Sequence, residues 1–252
     1  MKTGLSYHWN RWRSEDGSVW LSEDPARDGV NWYGYCGHNP VKYTDPDGRE
    51  VLNANTTLFM SSGGTETLGY SDELIADVGC VLTSYTRIAS ALAGCDISLS
   101  ESNKYAKEHN LFSGDEQNLL TSEAGAQLIN GLLLENGITD VSVELYIRGG
   151  NVDGIESSSI AFFNYMDNVS TEFFATARIE TTDKSGENKY GHHVNVNHGA
   201  FFQDVDSDSL FNLNISDTSG VRNKLYNDTR KNTLERVDYF KVIRNQSSGE
   251  EN

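Results

Sequence analysis

Residues 77–94 read "DVGCVLTSYTRIASALAG", and the spacing of their apolar residues decides the fold class. Leu82, Tyr85, Ile88, Ala89 and Leu92 recur at i, i+3, i+6, i+7 and i+10, which buries one face of a helix. Glycines stand at both ends, Gly79 before the first turn and Gly94 after the last. Cys80 opens the helix, where free backbone amides and the helix dipole favour the anionic form of a thiol and can hold an oxyanion. A second helix is expected from "SLSESNKYAKEHN", in which Ser98 and Glu101 have capping-box spacing, and a third from "TSEAGAQLINGLLLENG", which runs into a Gly stop. The pattern then changes. "VSVELYI", "SIAFFNY", "TEFFATARIETT", "YGHHVNVN", "HGAFFQDVD", "SLFNLNIS" and "RVDYFKVIR" are short, often alternating, and rich in β-branched and aromatic residues. Helices followed by antiparallel strands predict an α+β domain over residues 51–252, with "NQSSGEEN" as a frayed tail.

Composition narrows the partners. The formal charge is −17, from 37 Asp and Glu against 20 Lys and Arg. Residues 1–50 hold 8 acidic and 6 basic residues, leaving 29 and 14 beyond, so the acidity belongs to the C-terminal part. Such a chain repels phosphate backbones, and neither nucleic acid nor a membrane surface is an expected partner. No run reaches the roughly 18 apolar residues of a spanning helix, and "MKTGLSYHWNRWRSEDGS" lacks the apolar centre of a signal peptide. Cys36, Cys80 and Cys95 are too few and too scattered for a disulfide framework or a zinc ribbon. "DVDSDS" places Asp204, Asp206 and Asp208 at alternate positions, but a calcium loop needs Gly and Glu where Ser209 and Ile215 stand. A solvated hairpin tip is expected there, and no metal or organic cofactor is called for.

Residues 1–50 are crowded with Trp, Tyr, Gly and Asp and hold all three prolines, Pro25, Pro40 and Pro46. Short strands and tight turns follow from that composition, in a fragment too small to close a core alone. The wording "SEDP" and "GVNWYGYCGHNPVKYTDPDG" resembles the closing segment of Rhs-repeat proteins, whose shell ends in a final DP-x-G before a variable effector, commonly a toxin. The resemblance implies a boundary at "DPDGRE", a toxin domain over residues 51–252, delivery through a secretion system into a target cell, and a cognate immunity protein. In relatives the shell end is an aspartyl autoprotease. The matching acids are Asp24 and Asp45, with cleavage near Arg49 and Glu50, since two close carboxylates can share a proton and activate water. "DPAR" replaces the first DP-x-G, and Arg49 stands where relatives carry Leu. The plain alternative is that Asp24, Asp45 and Asp47 are turn residues beside Pro and Gly.

Around Cys80, Gly79, Cys80, Thr83, Ser84, Gly94, Ile97, Ser98, Glu101 and Asn103 match in order G-C-x-x-T-S, a small-residue helix, a Gly, and I-[ST]-x-x-E-x-N. This resembles papain-like cysteine peptidases of the bacteriocin-leader-processing type, the C39-like group. The resemblance implies a papain-like fold and a Cys-His-Asp triad in that chain order. "GHHVNVN" matches the Gly-His strand, which makes His192 the general base and His193 its close alternative. Alternation places His192, Val194 and Val196 on one face and His193, Asn195 and Asn197 on the other. Asp217 in "FNLNISDTSG", 25 residues on, is the orienting carboxylate, with Asn195 or Asn214 as substitutes and a turn or cap as its plain reading. His198 is expected in a turn. Relatives carry an upstream Gln that completes the oxyanion hole, whereas the first Gln here is Gln117, so a backbone amide, Ser61 or Ser62 would have to stand in. Cys80 alone, like Cys95, would read as a small buried hydrophobe.

The expected activity is hydrolysis of a peptide or isopeptide bond, with deamidation or acyl transfer through the same thioester as variants. Two other classes remain open: a non-catalytic module with the same fold, and a nuclease built on "GHHVNVNH", which the acidity disfavours.

Overall fold

The computed structural model describes residues 6–8, 11–13, 19–22, 58–115, 117–149, 151–152, 155–156, 173–182, 189–202, 209–219, 224–228 and 232–245. The chain divides into two units, Met1–Asn53 and Ala54–Asn252. In the first, β1 (Ser6–His8) pairs antiparallel with β2 (Arg11–Arg13), and the Leu21 amide bonds the Trp12 carbonyl at 2.8 Å. Trp20 is buried. Asp24, Asp45, Asp47, Arg49 and Glu50 lie outside the described residues, as do the segment 159–165 and Asp204, Asp206 and Asp208.

The second unit starts with helices. A single 3-10 turn at Met60–Gly63 leads through a loop to α1 (Ile75–Val78), which had no periodic signal because it is one turn long. α2 (Cys80–Ala93) follows at once and ends on Gly94, whose φ of 66° is the left-handed conformation that suits glycine. Leu82, Tyr85, Ile88 and Ala89 are fully buried, as the stripe predicts, whereas Leu92 in the last turn is only half-buried. α3 (Leu99–Glu108) begins with the expected capping box: Ser98 Oγ accepts from the Glu101 amide at 3.2 Å, and Glu101 accepts from the Ser98 amide at 2.8 Å. α4 (Ser122–Glu135) is capped by Thr121 and buries Leu128, Ile129, Leu132 and Leu133. A Cβ at Gly125 would lie 2.5 Å from the Tyr85 ring, so α4 and α2 touch through a glycine.

The strands are β3 (Val141–Arg148), the short pair β4 (Asn151–Val152) and β5 (Ile155–Glu156), then β6 (Phe173–Thr182), β7 (Lys189–Phe202), β8 (Ser209–Asp217), β9 (Lys224–Asp228) and β10 (Asn232–Arg244). Six of them form an antiparallel sheet in the order β3-β10-β6-β7-β8-β9, and Asn232 of β10 also pairs with Asp228 of β9. The α+β expectation therefore holds: four helices pack against an antiparallel sheet. Asn130 of α4 covers part of the edge strand, donating to the Val143 carbonyl at 2.9 Å and accepting from its amide at 2.7 Å. The segments "YGHHVNVN" and "HGAFFQDVD" form one strand rather than two. His198, expected in a turn, lies inside β7, where the register with β8 shifts between Val196 and Phe201. An irregularity within a strand keeps the chain extended where the sequence pattern breaks.

Each face of the sheet has its own core. Ala175, Ala177, Ile179, Val194, Val196, Ile215, Val237 and Tyr239 pack together on one face. On the other, α2 meets β7 through an edge contact of Tyr85 with His193 and a hydrogen bond of 3.0 Å from Asn195 Nδ2 to the Ser84 carbonyl. Among the described residues no helix is long and apolar enough to cross a membrane.

Candidate active site

Cys80 is a free, half-buried thiol at the first turn of α2. Its position is fixed from both sides. Thr83 donates to the Gly79 carbonyl through its amide at 2.9 Å and its hydroxyl at 2.8 Å, which starts the helical ladder and leaves the amides of Cys80, Val81 and Leu82 ahead of it. A Cβ at Gly79 would sit 2.5 Å from the Ile75 carbonyl oxygen, so the Gly before the thiol lets α1 run directly into α2. The remaining motif residues also have identifiable work. Asn103 is buried, accepts from the Gly69 amide at 2.9 Å and donates to Glu66 at 2.7 Å and to the Thr67 carbonyl at 2.9 Å. It ties the loop that precedes α1 to α3.

His192 stands on β7 and Asp217 ends β8, directly across from Val194. The ring Nε2 lies 2.7 Å from Asp217 Oδ1, both side chains being almost wholly buried. The same oxygen accepts from the Ser219 amide at 2.8 Å and the Ser219 hydroxyl at 2.7 Å. The Thr218 hydroxyl donates to the His193 carbonyl at 2.9 Å, pinning β8 to β7 behind the ring. Asp217 thus accepts within a turn, as its plain reading expects, and pairs with the His192 ring through the same oxygen.

Cys80 acts on the same ring by raising its basicity. Burial by itself would lower the basicity of His192; the bonds to Asp217 and Cys80 outweigh it and raise its pKa to about 9. Burial likewise opposes ionisation of Asp217, but the bonds from His192 and Ser219 hold its carboxyl below the usual range. Nε2 is the ring nitrogen that Asp217 engages, which leaves Nδ1 as the other.

His193, the alternative base, is in a different setting. It faces α2, its Nε2 is buried without a hydrogen-bond partner, and burial, followed by the charges of Arg236, His192 and Arg178, pushes its pKa down to about 3. The helix that carries Cys80 lies across the His193 face, yet the thiol acts on His192, whose neighbours Val194 and Val196 belong to the core of the opposite face. Asn195 is spent on the Ser84 carbonyl rather than on either histidine, and Asn214 lies within β8. Ser61 and Ser62 sit exposed in the 3-10 turn, where Ser62 Oγ accepts from the Phe59 amide at 3.3 Å. Gln117 uses its backbone carbonyl to bond the Tyr70 amide at 3.2 Å. Cys95 is exposed at the end of α2, 3.8 Å from Asn136 Oδ1.

The motifs did not single out Arg87, Thr218 and Ser219. Arg87 is wholly buried and bonds the Asp217 carbonyl at 3.2 Å. Its signal was present in the sequence: a charged residue seven positions after Cys80 falls on the same helical face, where a lone Arg among small and apolar residues calls for a buried partner. A second polar group fills the interface of α2 and α4 with the sheet. Ser122 donates to Asp238 at 2.8 Å, Arg236 pairs with the same carboxylate at 2.9 Å, and burial raises the Asp238 pKa. Among the described residues no group of three or more His, Cys, Asp or Glu side chains is placed to hold a metal ion. No protein-family model matches the chain, and no curated protein sequence matches it.

Proposed function

We propose that the unit Ala54–Asn252 is a thiol hydrolase with a papain-like arrangement, in which Cys80 is the nucleophile, His192 the general base and acid, and Asp217 the group that orients the imidazole. The observation that carries this reading is convergence. His192 on β7 lies 2.7 Å through Nε2 from Asp217 at the end of β8, and Cys80 at the start of α2 raises the basicity of the same ring. In the reaction His192, protonated at neutral pH with a pKa of about 9, already holds the thiol proton on Nδ1 when the sulfur bonds the substrate carbonyl carbon. The amides at the start of α2 receive the oxyanion, as the upstream Gln would in relatives. Collapse breaks the carbonyl–nitrogen bond, the imidazolium gives its proton to the departing amine, and a water activated by the same ring hydrolyses the thioester. A carboxamide substrate releases ammonia by these steps, and an amine in place of water completes acyl transfer. No cofactor enters any step.

In this reading the chain is the C-terminal end of an Rhs-type polymorphic toxin. Residues 1–50 are the end of the shell, a peptide or protein is the substrate, and an immunity protein is the expected antagonist. Expression of the full chain in a bacterial cytoplasm tests it. Growth arrest that is abolished by Cys80→Ala and by His192→Ala supports the hydrolase, whereas arrest that survives Cys80→Ala removes it.

A further inference from the structure

Arg87 is a large cation buried where a helix interior ordinarily holds apolar groups, and its partners explain why it is there. Its Nε donates to the Leu58 carbonyl at 2.8 Å and its Nη2 to the Asp217 carbonyl at 3.2 Å, while its guanidinium carbon lies 5.4 Å from the centre of the Phe59 ring. Leu58 and Phe59 begin the strap that leads into the 3-10 turn, and the strap is tied again one residue later, where the Met60 amide bonds the Thr218 carbonyl at 2.9 Å. At its other end the strap meets the approach to the nucleophile. A Cβ at Gly63 would lie 2.5 Å from Ile75 Cγ2, and one at Gly79 would lie 2.7 Å from the same methyl. The strap therefore touches the Asp217 end of β8 and the run-in to Cys80, and Arg87 holds it to the first while standing two turns behind the second.

We infer that Arg87 is a positioning residue: it fixes the backbone of Asp217 and the strap 58–63 against α2, so that the carboxylate stays behind His192 and the imidazole stays turned to Cys80. The inference rests on the hydrolase reading for its consequence, though its geometry does not depend on it. A planar guanidinium presents separate N–H groups to two carbonyls from distant parts of the chain. The single ammonium of Lys, on a flexible stem, reproduces one of these bonds at a time. Burial lowers the Arg87 pKa to about 10, and the negative charge of Asp217 partly offsets that cost.

The test is an NMR titration of the His192 ring in the full chain, in wild type, R87K, R87M and D217N, paired with the rate of Cys80 acylation by p-nitrophenyl acetate. The wild-type midpoint is expected near 9 and is expected to fall in D217N. R87M is expected to lower it by about one unit, with R87K between, because the hydrogen bond that His192 donates to Asp217 loosens. Acylation is expected to slow on the order of tenfold to a hundredfold in R87M, as for a displaced orienting group. A folded R87M whose His192 midpoint equals that of wild type overturns the inference. If R87M does not fold, R87K decides, and an unchanged midpoint there overturns it equally. Midpoints that move in both variants while the wild-type thiol shows no acylation keep Arg87 as a positioning residue and remove the hydrolase.

Discussion

At the scale of single residues, the chemistry depends on what surrounds a sulfur and a ring. Cys80→Ala removes the nucleophile and is expected to reduce turnover by at least about a thousandfold, measured as product release with peptide substrates. Asp217→Asn keeps the shape but gives up the charge that raises His192. The ring midpoint is then expected to fall from about 9 toward its ordinary 6.5, read by NMR. Gly79→Ala tests the fit before the thiol. Its Cβ would meet the Ile75 carbonyl at 2.5 Å, a backbone atom that cannot swing aside, so the α1–α2 junction must shift. A loss of about 1–3 kcal/mol in denaturant unfolding is expected, as for overpacking elsewhere, with slower reaction at Cys80. A Gly79→Ala protein as stable and as reactive as wild type would contradict the close approach.

At the scale of elements, the motif around Cys80 divides into chemistry and scaffold. Thr83, Gly94, Ser98, Glu101 and Asn103 start, stop or tie helices, whereas Cys80 bears on the basicity of His192. Ser98→Ala breaks the capping box of α3 and is expected to cost about 1 kcal/mol of stability by chemical denaturation, without altering the thiol. α2, α3, α4 and most strands were legible because their signals are local: an apolar stripe, a cap, an alternation of residue types. α1 was not, since one turn has no period, and β9 was not, since "KLYND" is too short to alternate clearly. The candidate site was partly legible for the same reason. Cys80 and His192 carry recognisable wording in their own segments. The role of Arg87 depends on carbonyls supplied by Leu58 and Asp217, which no local pattern shows. Likewise, alternation separates His192 from His193 but does not say which face α2 covers.

At the scale of the whole molecule, the two adjacent histidines pull stability in opposite directions with pH. His192 has a folded value of about 9 against an ordinary 6.5, so its contribution is complete below 6.5 and is lost as pH rises through 9. His193 is held neutral with a folded value of about 3, so its contribution is complete above 6.5 and is lost as pH falls toward 3. Asp217, whose folded value is depressed, adds to the acid limb. Thermal unfolding should therefore show a maximum near pH 6.5; His193→Asn should flatten the acid side and His192→Asn the alkaline side. The chain's −17 charge adds self-repulsion as pH rises, which variants at the two histidines leave in place. The central claim, that Cys80 is a nucleophile served by His192, is tested most directly by the pH-dependent rate of alkylation of each thiol with iodoacetamide, followed by peptide mass spectrometry. Cys80 is expected to react at least about tenfold faster than exposed Cys95 near neutral pH and to lose that advantage in His192→Ala. Equal rates at the two thiols, unchanged by His192→Ala, would contradict it.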